Sequence, residues 1–121
     1  MKVIIDLIED IRESIDNAEA YVLRAGLLKE DLDDDSKLRY AGEASIGSYQ
    51  LNEEKKELLF KVGDSDVEVT VGELIPSLLI LDMQVMMYSL KMDVNVQYSG
   101  LEIVGFGKND EEKSYLLFIK V

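Results

Sequence analysis

Tyr40–Phe60 reads YAGEASIGSYQLNEEKKELLF, and 58 residues later Tyr98–Phe118 reads YSGLEIVGFGKNDEEKSYLLF. Aligned without a gap, Tyr40/Tyr98, Gly42/Gly100, Gly47/Gly105, Glu53/Glu111, Glu54/Glu112, Lys55/Lys113, Leu58/Leu116, Leu59/Leu117 and Phe60/Phe118 are identical. Ile46/Val104 and Asn52/Asp110 are close exchanges. Nine identities in 21 positions indicate one supersecondary unit written twice. The kept residues are glycines expected at turns or bulges, apolar residues of core strands and charged hairpin tips. These are scaffold positions, so the match speaks to architecture and not to chemistry.

Outward from this pair, the chain reads as a single domain over residues 1–121, duplicated over about 15–62 and 73–121. Ile4, Leu7, Ile8, Ile11, Ile15, Ala18, Val22 and Ala25 recur at helical spacing and predict a helix over 2–25. Gly26 ends or kinks it. The alternative makes Tyr21–Lys29 a strand; the 58-residue offset favours helical continuation, since it pairs Val22, Leu23, Leu27 and Leu28 with Ile80, Leu81, Val85 and Met86. Strands follow at Leu38–Ala41, Ala44–Leu51 and Glu57–Val62, with Gly42 near a turn, and Asp66–Val71 alternates as a half-buried strand. Thr70-Val71-Gly72-Glu73 has the capping-box pattern and starts a second helix running to about Lys91, with Pro76 in its first turns. Asp93–Ser99, Leu101–Gly107 and Ser114–Val121 complete an order α-β-β-β-β-α-β-β-β. The expected fold is α+β: two α-β-β-β repeats whose two helices pack on one curved antiparallel sheet.

Composition narrows the function. With 25 acidic and 13 basic residues the net charge is −12. Such a surface repels nucleic-acid phosphates and anionic membranes and suits a basic protein or peptide; the same acid also serves solubility. The chain holds no cysteine and no histidine. Disulfides, thiolate nucleophiles, cysteine-type metal sites and the Ser-His-Asp triad are therefore excluded. Asp6, Glu9 and Asp10 interrupt the apolar start, so no signal segment is expected there, and a cytoplasmic setting is the default. Leu74–Leu90 is broken by Pro76, Asp82 and Gln84 and is too short for a membrane span.

Read as one helix, 71–91 carries two apolar faces. The first holds Leu74, Leu78, Leu81, Val85 and Tyr88; the second holds Ile75, Leu79, Ile80, Met83, Met86, Met87 and Leu90. One face suffices for a surface helix. The second is the expected interface of a homodimer, or a methionine-rich groove for a peptide, unless helix and sheet cover both. The acidic surface is expected at Asp6, Glu9, Asp10, Glu13, Asp33, Asp34 and Asp35. The run Asp31–Asp35 starts like a calcium loop, but Ser36 and Gly42 stand where glycine and a bidentate glutamate are needed. The glycines around Gly107 form no phosphate loop. No catalytic, metal or cofactor residues are expected. The sequence reads as a non-catalytic acidic interaction domain binding a protein or peptide. Secretion chaperones and immunity proteins have this profile of size, acidity and mixed structure, although no motif ties the chain to either. An apolar small-molecule or lipid site between the second helix and the sheet is the alternative.

Overall fold

The computed structural model describes residues 1–15, 20–31, 34–63 and 68–121. Two α-helices, α1 (Ile4–Ser14) and α2 (Val71–Leu79), accompany six strands: β1 (Val22–Asp31), β2 (Asp34–Asn52), β3 (Glu57–Val62), β4 (Ser89–Asp93), β5 (Leu101–Asn109) and β6 (Ser114–Lys120). The strands close into a barrel in chain order. The α+β class stands, but the sheet is mixed and closed instead of a single antiparallel layer. β1 runs parallel to β6 and β3 runs parallel to β4. Hairpin logic sees only strands joined by short turns. Both parallel seams join strands far apart in sequence, so no turn signal announces them.

α1 forms where predicted and stops eleven residues short of Ala25. Ile4, Leu7, Ile8 and Ile11 are buried along one side. Asp6 accepts a 2.9 Å hydrogen bond from the Val3 N–H, satisfying a donor at the helix start. At the other end the Ser14 carbonyl accepts from Lys108 Nζ at 2.6 Å. The stretch Tyr21–Lys29 belongs to strand, contrary to the favoured helical continuation. Leu23 and Ala25 are fully buried and alternate with the half-buried Arg24. β1 pairs with β2 on one edge and β6 on the other. Two filled hydrogen-bonded edges outweigh a helical spacing that was equally compatible with the residues. Gly26 lies mid-strand and caps nothing.

β2 is a single strand of 19 residues where two short ones were expected. Gly42 has φ 131° and sits where the register to β1 shifts, so it makes a bulge and no turn. The first part of β2 pairs with β1 and the second part with β3. Of the expected strand Asp66–Val71, Asp66 and Val67 lie outside the described residues. Glu68 and Val69 are not strand, and Thr70 makes an isolated bridge to Val22.

Thr70 does cap α2, its Oγ1 accepting from the Glu73 N–H at 3.2 Å. The helix ends at Leu79, however, and not near Lys91. A turn follows, then a 3-10 turn at Val85–Met87 whose first N–H bonds to the Asp82 carboxylate. Ser89–Asp93 is strand β4, with Leu90 and Met92 pointing inward. The expected strand Asp93–Ser99 is largely loop. The Asn95 side chain accepts from the Gln97 and Tyr98 N–H groups and folds the segment on itself. Leu101–Asn109 and Ser114–Lys120 fall close to expectation.

The hairpins β2–β3 and β5–β6 share a register that the ungapped match does not. Asn52 pairs with Glu57, and Asn109 with Ser114. Tyr49 pairs with Phe60, and Phe106 with Leu117. One residue is bulged out in each, Gly47 and Val104, and each turn ends on a lysine of positive φ, Lys56 (54°) and Lys113 (53°). These counterparts lie one residue closer than the sequence match puts them. A one-residue slip moves a strand side chain to the other face. Phe60 is accordingly fully buried, while Phe118 lies on the outer face and Tyr115, Leu117 and Ile119 fill the core. Matching the two Leu-Leu-Phe runs therefore pairs inward residues with outward ones. Phe118 instead covers Gly26 and Gly107 on the strands beside it; a Cβ at either would fall 2.5 or 2.7 Å from its ring.

Candidate interaction surface

The seven residues assigned to one helical face are divided, because the helix ends among them. Leu79, Ile80, Met83 and Met87 are 57, 84, 80 and 63% exposed. Met86 and Leu90 are core residues at 8 and 1%. Ile75 is half-buried and lines a surface cleft of about 360 Å³ with Ile11, Arg12, Ile15, Val71, Gly72 and Pro76. This cleft lies between α1 and α2, not between the second helix and the sheet. The exposed apolar residues occupy the end of α2 and the turns that follow, so they do not form the continuous helical stripe expected.

The acidic set is likewise divided. Asp6 is engaged at the start of its own helix. Asp10 accepts a 2.5 Å hydrogen bond from the Tyr115 hydroxyl, whose residue is fully buried. Burial first, and the Asp10 carboxylate second, push the Tyr115 phenol far above its ordinary pKa. Glu9 and Glu13 are exposed and flank Arg12. Asp33 lies outside the described residues; Asp34 and Asp35 begin β2, and their side chains are not among those described.

A further acidic concavity escaped sequence reasoning. Tyr40, Glu43, Asp110, Glu111 and Glu112 line an open cleft of about 700 Å³ together with Lys108 and Leu116. Only the β2–β5–β6 geometry brings these segments together. Asp110 accepts from the Tyr21 hydroxyl at 2.5 Å and lies 3.4 Å from Lys108 Nζ. The Tyr21 hydrogen bond, then the lysine charge, hold its carboxyl below the usual range. The Tyr40 phenol is pushed up to about 12 by lost hydration and then by Glu43. Arg24 pairs with Glu43 at 3.2 Å on the adjoining strands. These contacts tie charged groups to one another. No group of three or more metal-ligating side chains stands together among the described residues. No helix among them is long and apolar enough to cross a membrane.

Comparison with known proteins returns no matching family model, no matching curated protein and no matching solved structure.

Proposed function

We propose that this chain is a non-catalytic protein-interaction domain that works as a homodimer and takes a basic protein or peptide as its partner, in a cytoplasmic setting. The exposed apolar group Leu79, Ile80, Met83 and Met87 carries the reading. Fully burying one such side chain contributes about 1.5–3 kcal/mol. Scaled to the exposures seen, two facing patches supply on the order of 10 kcal/mol, within the ~4–15 kcal/mol that association costs. Set against that cost the net gain is at most about 6 kcal/mol, which supports a weak dimer of roughly tens of micromolar or weaker. Sedimentation equilibrium from ten to several hundred micromolar tests this: the expected result is a monomer–dimer equilibrium, and a monomer throughout sinks it.

The net charge of −12 supports the choice of partner class. The exposed Glu9, Glu13, Glu111 and Glu112 present it to solvent. Low-salt capture that recovers no basic protein argues against that half of the reading. We also propose that residues 1–121 form one domain built by duplication over about 15–62 and 73–121. The common turn, bulge and register of the two hairpins support it. An apolar small molecule or lipid in the α1–α2 cleft is the second reading, favoured by its lining of Ile11, Ile15, Val71 and Ile75. Saturable uptake of a fluorescent fatty acid would support it.

A further inference from the structure

The dimer reading can be deepened, since the molecule carries both a protruding apolar turn and an apolar cleft. We infer that two copies dock reciprocally, the turn holding Ile80 and Met83 of each entering the α1–α2 cleft of the other, with Asp82 of one meeting the partner's Arg12. This rests on the proposed homodimer and specifies its geometry. Three observations lead to it.

The first is position. Ile75 and Pro76 line the cleft, and Leu79 and Ile80 follow them by four residues, one helical turn. Projection and receptor therefore lie side by side on α2. A two-fold axis near the end of that helix fills both clefts at once and closes the assembly at two copies.

The second is charge. Between Leu74 and Leu90 the only residue charged at neutral pH is Asp82, in a chain carrying −12 overall. Among the described residues Arg12 is the one charged residue lining the cleft and makes no ion pair, with Glu9 and Glu13 flanking it. The charge on the turn is thus opposite to that of the cleft-lining Arg12. Asp82 and Arg12 are both exposed, and the Asp82 carboxylate, which accepts from the Val85 N–H, keeps further acceptor capacity for a partner.

The third is area. The four exposed side chains offer on the order of 300 Å² of apolar surface. A stable interface takes about 800 Å² from each partner. Two patches placed face to face fall well short of that, and seating each in a cleft adds the cleft walls to the buried surface, in keeping with a weak dimer.

Because the chain has no cysteine, the arrangement can be read by cross-linking. Met83→Cys and Ile75→Cys proteins, one bearing a size tag, are mixed and oxidised at dimer-forming concentration. The expected product is the mixed disulfide, with neither protein cross-linking to itself. Separately, Arg12→Glu and Asp82→Lys each weaken the dimer about three- to tenfold, and mixing the two restores it. Raising salt from about 0.05 to 0.5 M tightens the wild-type dimer, because screening relieves repulsion between two acidic protomers. Urea midpoints of each variant check the fold. Self-cross-linking of Met83→Cys without the mixed product overturns the reciprocal docking while leaving the homodimer standing. So does a fatty-acid probe that fills the cleft without dissociating the dimer. A monomer under all conditions overturns both.

Discussion

Gly26→Ala tests whether the outer face of the barrel is packed as tightly as the geometry shows. Gly26 lies in β1 opposite Phe118 of β6, and a Cβ built on it meets the ring at 2.5 and 2.6 Å. Ordinary contact begins near 3.4 Å, so the ring or the strand must shift by about 0.9 Å. Two effects oppose each other. Alanine restricts the unfolded chain and favours folding by about 0.4–1 kcal/mol, since Gly26 has no positive φ. Overpacking costs about 1–3 kcal/mol. The ring is hemmed in, with Gly107 beneath it and Tyr40 edge-on at 6.4 Å, so overpacking wins. The net loss is about 1–2 kcal/mol, or about 3–10 °C in Tm for a domain of this size. Urea denaturation followed by circular dichroism measures it. The decisive arm repeats the substitution in a Phe118→Ala background. With the ring gone only the entropic effect remains, and Gly26→Ala becomes neutral or stabilising. Equal losses in both backgrounds would refute the assignment of the cost to Phe118.

Other consequences follow from the same structure. Gly47→Ala places a Cβ 2.9 Å from the Gly63 Cα, a backbone atom that cannot rotate away, so it costs about 2–3 kcal/mol in urea denaturation with no rescuing side-chain change. Lys56→Gly and Lys113→Gly relieve left-handed backbone at φ 54° and 53°; each leaves stability unchanged or raises it by up to about 1 kcal/mol, measured the same way. Tyr40 is held neutral in the folded state up to about pH 12, so the fold binds its proton more tightly than the unfolded chain. The resulting stability is present below pH 10 and is lost as pH rises toward 12. Titration at 295 nm shows a late tyrosine step that Tyr40→Phe removes, while Tyr115, raised further by burial, ionises only on unfolding.

The distribution of function over this surface follows from which groups the fold leaves unengaged. Asp6, Asp10, Asp110 and Glu43 are tied to partners within the chain. Counting acids therefore overstates the surface free to bind a basic molecule. The apolar turn is different, because its four large side chains each stay more than half exposed. Reading the second helix as continuous put these residues on one helical face, which the end of α2 at Leu79 rules out. The apolar excess was real, but two of the seven residues assigned to that face, Met86 and Leu90, belonged to the core.

What the sequence determined by itself was local. The Thr70–Glu73 cap, the inner strand at Leu58–Phe60, the hairpin strands β5 and β6 and the helix at Ile4–Ser14 each rest on neighbours a few residues apart. The absence of cysteine and histidine is equally a property of sequence alone. Tertiary structure decided everything that depended on a distant strand. Val22–Leu28 is strand because β6 and β2 fill both its edges, and Ser89–Asp93 is strand because β3 and β5 do the same. The paired tracts at Tyr40 and Tyr98 show the division within one motif. Their similarity is visible in sequence, yet which face each phenylalanine takes is set by a register that only the closed barrel fixes. Backbone hydrogen bonds between remote strands satisfy many groups at once, and that cooperative gain exceeds the small differences in local propensity from which sequence is read.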